Sequence, residues 1–139
     1  MSAKTFVDTG VLICAFDIDA GAKHTNAKAL LEELWRQRSG ALSTQVLQEF
    51  YVNFTRKFAH PLAKGVARRI CNRFALWCSE TTPTDIASAF AIADAANIGF
   101  WDALIVAMAV KAGASKILSE DMSHGQRIAG VLIENPFIP

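Results

Sequence analysis

The chain has 139 residues, 52% of them apolar and 19% charged, with 8 Gly and 4 Pro; this suits one domain around a single core and excludes a disordered or collagen-like chain. The formal net charge is only +1, from 14 basic and 13 acidic side chains, so the overall balance supplies no strong pull toward nucleic acid. The longest apolar runs, such as Leu104 to Val110, fall well short of the roughly 18 residues of a membrane span, and residues 1–20 lack a cleavable signal pattern, so a soluble cytoplasmic protein with no membrane partner is predicted.

Lys4 to Val7 reads as a first short strand that ends at Asp8, with Thr9 and Gly10 as a turn and Val11 to Phe16 as a short apolar, helical segment. Asp17 to Gly21 breaks the pattern. From Ala22 to Arg38, Ala27, Leu30, Leu31 and Leu34 recur between charges, as on an amphipathic helix closed near Gly40. Ala41 to Ser43 predicts a second strand, and Thr44 is expected to cap a helix in which Val46, Phe50, Phe54 and Phe58 recur every four residues beside a polar stripe of Gln45, Glu49 and Asn53. Pro61 ends it, and Ala63 to Trp77 repeats the design with Val66, Ile70, Phe74 and Trp77, completing an αα-hairpin. The hairpin carries more aromatic surface than a small core requires, which suggests that part of it is an interface.

Between Phe50 and Ser79 there is no acidic residue, yet six basic ones are present: Arg56, Lys57, Lys64, Arg68, Arg69 and Arg73. Such a run is either a solvated helical face or a surface that meets phosphates. Ser79 to Thr82 is a candidate strand, and Thr84 or Asp85 is expected to cap an Ala-rich helix that stops near Asn97 and Gly99. Another helix is predicted from about Trp101 to Ala112, then a strand over Lys116 to Ser119, a polar turn over Glu120 to Gly125, and a last strand over Val131 to Ile133. Helices alternating with short strands predict an α/β sandwich around a mainly parallel sheet.

Ligands of an open parallel sheet gather at the carboxyl ends of its strands. Asp8 follows the first strand, Asp121 lies just past the strand over Lys116 to Ser119, and Asp102 opens the helix that runs back into that strand. Glu49 sits about 8 Å along the helix that leaves the second strand. Four carboxylates from four segments are thus expected near one edge. Together they repel unless they are protonated or share a cation, and a hard divalent ion, Mg²⁺ or Mn²⁺, satisfies such a set at neutral pH. Bound there, it would orient a phosphodiester and activate a water for in-line attack. Each acid also has an ordinary role open to it: Asp102 as a helix cap, Asp121 as a turn residue, Glu49 as a solvated helix position.

Four blocks in order carry a resemblance over nearly the whole chain: Phe6-Val7-Asp8-Thr9-Gly10-Val11-Leu12, Ser43-Thr44-Gln45-Val46-Leu47-Gln48-Glu49-Phe50, Trp101-Asp102-Ala103-Leu104-Ile105 and Leu118-Ser119-Glu120-Asp121-Met122, with Ile133-Glu134-Asn135-Pro136-Phe137 at the close. In these the sequence resembles the PIN-domain ribonucleases, in particular the VapC-type toxins of toxin-antitoxin operons. The resemblance implies a single PIN-like domain over residues 1–139, a three-layer α/β/α sandwich with a short, mainly parallel sheet and an αα-hairpin. It also implies a Mg²⁺-dependent endoribonuclease with Asp8, Glu49, Asp102 and Asp121 as the catalytic acids. Asp8 and Asp102 would ligate metal directly, Asp121 directly or through water, and Glu49 would orient the attacking water or hold a second ion. Thr9, where many members have Asn, would hydrogen-bond a neighbouring carboxylate, and Glu120 would be an auxiliary acid. A cognate antitoxin whose C-terminal segment covers the acidic site, and a homodimer, are implied as partners. With RNA as substrate, Arg56, Lys57, Arg68, Arg69 and Arg73 are candidates for holding its backbone.

Two other readings compete. The same fold with no catalysis would serve as an RNA-binding or protein-interaction module, which metal dependence would distinguish. Asp17-Ile18-Asp19 superficially matches an aspartate-nucleophile phosphatase, but no buried strand directly precedes Asp17, and Ala20 and Gly21 follow Asp19 where a hydroxyl residue is usual.

Overall fold

The computed structural model describes residues 3–56 and 61–139. The expectations for Lys57 and Phe58 lie outside the described residues. In chain order the elements are β1 (Lys4–Val7), α1 (Thr9–Cys14), α2 (Ala22–Gln37), β2 (Gly40–Ser43), α3 (Thr44–Arg56), α4 (Lys64–Phe74), β3 (Cys78–Ser79), α5 (Pro83–Ala96), α6 (Phe100–Lys111), β4 (Ala114–Leu118), β5 (Arg127–Ile128) and β6 (Val131–Glu134). The sheet order is β3-β2-β1-β4-β6-β5, parallel throughout except for the β5–β6 pair.

This order follows from chain connections that all turn the same way. β1 leads to β2 and β2 to β3 on one side, and the chain then crosses to place β4 on the other side of β1. With right-handed crossovers, α1 to α4 and the α5–α6 pair fall on opposite faces of the sheet. The packing agrees: α1 meets α2 and α3, α3 meets α4, α5 meets α6, and β2 is contacted by α2 and α3 as well as by α6. β2 is therefore buried at all four positions, as expected of a strand covered on both faces. α6 is apolar all round because it is a core helix, with Ala103 to Ala109 buried throughout. No single helix among the described residues is long and apolar enough to cross a membrane, and the apolar pair α5 and α6 is bent by 115° at its break.

Several local expectations change. Thr82, not Thr84 or Asp85, caps α5: its hydroxyl accepts from the Asp85 N–H while the Asp85 carboxylate accepts from the Thr82 N–H, a reciprocal capping box with Pro83 at the first helical position. The strand expected over Ser79 to Thr82 is accordingly Cys78–Ser79. Thr44 is the first residue of α3 instead of standing before it. β5, which the sequence reading did not anticipate, is a two-residue strand that pairs with β6 across Ala129 and Gly130, both at positive φ (50° and 82°), the backbone a tight hairpin turn demands.

The hairpin aromatics are mostly core, not interface. Phe54 and Phe74 are buried, and Phe74 makes edge-to-face contacts with Phe16 (5.9 Å), Trp35 (5.3 Å) and Trp77 (4.9 Å). Trp77 lies so close over β2 that a Cβ on Gly40 would stand 2.4 Å from its ring, which is why this position lacks a side chain. The basic run is partly absorbed by the same cluster. Arg73 lies over the Trp35 ring at 4.7 Å, and Arg68 donates from Nε to the Tyr51 hydroxyl (3.1 Å).

Candidate active site

β1 and β4 are neighbours from which the chain departs in opposite directions, so their carboxyl ends open a crevice at a topological switch point. Asp8 stands at its base. Its N–H extends the β1–β4 ladder by donating to the Leu118 carbonyl (3.0 Å), and its carboxylate is the N-cap of α1, with Oδ1 accepting from the Thr9 N–H at 2.8 Å. Oδ2 accepts from the Ser119 hydroxyl at 2.9 Å. Ser119 Oγ in turn accepts from the N–H groups of Asp121 and Met122, both at 3.3 Å. The turn after β4 is thereby folded around a single hydroxyl that also holds Asp8.

Thr9 carries the network across to α3, donating its hydroxyl to Glu49 Oε1 at 3.1 Å. Asp102 enters from the first turn of α6. A cleft of about 230 Å³ is lined by Asp8, Glu49, Asp102 and Asp121 together with neighbouring groups that include Thr9, Gln45, Asn53 and Trp101. The structure thus brings all four expected acids to one place, and among the described residues no Lys or Arg lines it.

Electrostatics register the crowding. The Asp8 carboxyl is pushed up to about 6, chiefly by burial, against the hydrogen bonds from Ser119 and Thr9, with the charges of Glu49 and Asp121 adding to the rise. Asp102 is also raised, by burial and then by Asp121. A divalent cation suits the chemistry of this donor set: hard carboxylate oxygens, a surplus of negative charge and, among the described residues, no lining Lys or Arg to balance it. Among the described residues no three His, Cys, Asp or Glu side chains are gathered closely enough to hold a metal ion as they stand; the four carboxylates flank an open cleft instead.

Other expected site residues lie elsewhere. Glu120 does not line the cleft, because it pairs with Lys23 on α2 at 2.7 Å. Arg56, Arg68, Arg69 and Arg73 do not line it either, and Arg73 borders a different, larger groove. Asp17 accepts from the Asp19 N–H (3.0 Å) as the cap of a short 3-10 turn away from the sheet edge, which removes the basis of the phosphatase reading. His124 Nδ1 accepts from the Asn135 N–H (2.9 Å), tying the closing segment down.

The sequence reading gave no role to Ser119, Gln45, Asn53 or Trp101. The stripe Gln45, Glu49, Asn53 was visible at helical spacing, and all three line the cleft. Ser119 carried a weaker signal, a hydroxyl wedged between a strand end and two acids.

Against known families, the model of the PIN domain matches residues 5–127. The chain belongs to the PIN-domain family. No curated protein matches it in sequence. Among solved structures it is similar to VapBC2 from Rickettsia felis bound to a DNA fragment from their promoter, at 17% identity over 94% of this chain and 97% of that one, with a TM-score of 0.64. It is similar to FitAB bound to an IR36 DNA fragment, at 16% identity over 97% and 96%, TM-score 0.68. A third is VapC20 of Mycobacterium tuberculosis, a sarcin-ricin loop cleaving toxin, at 21% identity over 82% and 87%, TM-score 0.58. At these identities the likeness is one of fold: the α/β PIN fold with its central, mostly parallel sheet.

Proposed function

We propose that this PIN-domain protein is a metal-dependent endoribonuclease and the toxin of a toxin-antitoxin pair. The observation that carries the reading is the cleft itself, where four carboxylates from the end of β1, α3, α6 and the turn after β4 meet, with no basic residue among the described lining residues. The family supports a nuclease, and the VapC20 neighbour supports RNA as the substrate class.

Asp8, Asp102 and Asp121 would hold the ion, Mg²⁺ or Mn²⁺. When bound, the ion supplies Lewis-acid polarisation of the phosphate and makes a water more acidic. The residues of the chain do the rest. Ser119 and the Thr9 N–H each occupy one lone pair of Asp8, fixing the carboxylate plane and leaving further lone pairs toward the cleft. Glu49, held on one oxygen by the Thr9 hydroxyl, keeps the other free to accept a proton from an incoming water. Attack on phosphorus then expels the ribose oxygen without a covalent enzyme intermediate.

The antitoxin has a seat of its own. A groove of about 550 Å³ runs between α2, α4 and the end of α1, floored by Phe16, Leu31, Trp35 and Phe74, with Ile18 exposed on its rim and Arg36 and Arg73 beside it. Its breadth and apolar floor suit one face of an amphipathic helix with an acidic edge. A homodimer belongs to the same reading, with Ile86 and Phe90, exposed one turn apart on α5, as its apolar contact.

The test is cleavage of total cellular RNA by partner-free protein, with Mg²⁺, Mn²⁺ or EDTA, beside Asp8→Ala and with product ends sequenced. Discrete metal-dependent cuts absent from the variant are expected. RNA binding without cleavage would make the protein a non-catalytic module, and cleavage indifferent to EDTA and to the substitution would refute the mechanism.

A further inference from the structure

Trp101 forms part of the wall of the acidic cleft while remaining open to solvent. It is 66% exposed, yet it lines the same cleft as Asp8, Glu49, Asp102 and Asp121 and directly precedes Asp102 on α6. Its ring is steadied by an edge-to-face contact with Phe100 at 5.2 Å, and Phe100 is backed in turn by Phe90 at 5.7 Å. A side chain with two torsions, already braced on one side, loses little entropy when something stacks on it.

Charge sharpens the question of what that is. Among the described residues no Lys or Arg lines the acidic cleft, and its carboxylates repel phosphates wherever the ion does not reach, so contacts to bases would add hold that these carboxylates deny the backbone. Base stacking is attractive regardless of phosphate charge, because every base has a π-face. A second, independent observation lies in the same cleft. Gln45 is 9% exposed, and among the described residues its buried Oε1 has no hydrogen-bond partner, a state that buried carbonyls seldom keep, so turning its amide toward the cleft would break no bond at that atom. Asn53, two turns along α3, adds another carboxamide to the lining. Aromatic ring and amide edge are the two chemistries by which unpaired bases are read.

We propose that Trp101 is the platform on which one unpaired base beside the scissile phosphate stacks, with Gln45 and Asn53 reading polar edges of the strand. The proposal rests on the ribonuclease reading and assigns Trp101 a positioning role in which it neither makes nor breaks bonds. It holds the strand so that the phosphate lies among the carboxylates.

The test uses a short single-stranded RNA that contains a mapped cut site, with kcat and KM measured for wild type, Trp101→Ala and Trp101→Phe, and with single abasic nucleotides placed on either side of the cut. Trp101→Ala should raise KM roughly tenfold, within the range that stacking one base contributes, with kcat changed much less, while Trp101→Phe should recover most of the loss. For wild type, one abasic position should produce the same rise in KM, and Trp101→Ala should be insensitive to that same position. Wild type that cuts RNA alongside a Trp101→Ala variant with unchanged KM would overturn the proposal. So would a Trp101→Ala variant that changes subunit number by light scattering in step with its activity, since Trp101 would then be a subunit contact. Wild type that cuts no RNA would instead bring down the ribonuclease reading, and this inference with it.

Discussion

With divalent metal chelated, Asp8→Asn should be more stable than wild type at neutral pH. The Asp8 carboxyl ordinarily titrates near 3.8 but is pushed up to about 6 in the folded chain, by burial first and by Glu49 and Asp121 after it. Between those values the folded protein holds a proton that the unfolded chain has already released. The contribution to stability is therefore fully present below about pH 4, is lost as pH rises through about 6, and stays lost above. The interval from 3.8 to about 6, at about 1.4 kcal/mol per pH unit, comes to about 3 kcal/mol. Asn still caps α1 through its side-chain oxygen, but it forgoes a charge-assisted hydrogen bond from Ser119, so a net gain of about 1–2 kcal/mol is expected. In melting temperature that is several degrees for a chain of this size. The assay is thermal or urea unfolding of both proteins in EDTA from pH 4 to 8, where the difference should open as pH rises and close toward pH 4. Added Mg²⁺ should raise wild type far more than the variant. A pH-independent difference, or a variant less stable than wild type at pH 7.5 without metal, would refute the argument.

Other changes should read out separate parts of the structure. Gly40→Ala would drive a methyl to 2.4 Å from the Trp77 ring, so unfolding studies should find a loss of about 1–3 kcal/mol, and an unchanged midpoint would contradict the packing. Ser119→Ala removes the donor to Asp8 and the acceptor of two N–H groups; denaturation should show a cost of about 1–3 kcal/mol, and a Mg²⁺ titration should show weaker binding. Ile18→Asp places a charge on a rim residue that is 79% exposed in the apolar groove. Its melting temperature and RNA cleavage should match wild type, while pull-down of a co-expressed antitoxin should fail.

What could be read from the sequence divides along physical lines. Asp8 was legible because a carboxylate directly after a strand stands at the edge where ligands of a parallel sheet gather, even though it also caps α1, and Asp102 because a helix running back to a neighbouring strand has to start at the same edge. The pairing of Glu120 with Lys23 was not legible, because the two lie 97 residues apart in the chain, a separation that no local pattern spans. The run from Arg56 to Arg73 left a solvated face and a phosphate surface equally open, and the sequence did not show that Arg68 and Arg73 settle on aromatic rings contributed by α3 and α2. The start of α5 was misplaced because Thr82, Thr84 and Asp85 are all good caps in isolation; Pro83 favours Thr82 by fitting the first helical position. β5 was invisible because two residues carry no periodicity.

The hydrogen bonds around Asp8 also bear on the order in which the cleft is completed during synthesis. Its first acid is ordered by residue 119 and shares its cleft with residue 121, while Glu49 is oriented through Thr9. A ribosome emits the chain from its N-terminus, so Asp8, Thr9 and Glu49 emerge long before the strand and turn that complete their surroundings. Until β4 docks beside β1, Asp8 has neither Ser119 nor Asp121 near it. If the chain cleaves RNA as proposed, such a topology would leave the unfinished chain without its complete acidic cleft and make completion the point at which a neutralising partner is needed.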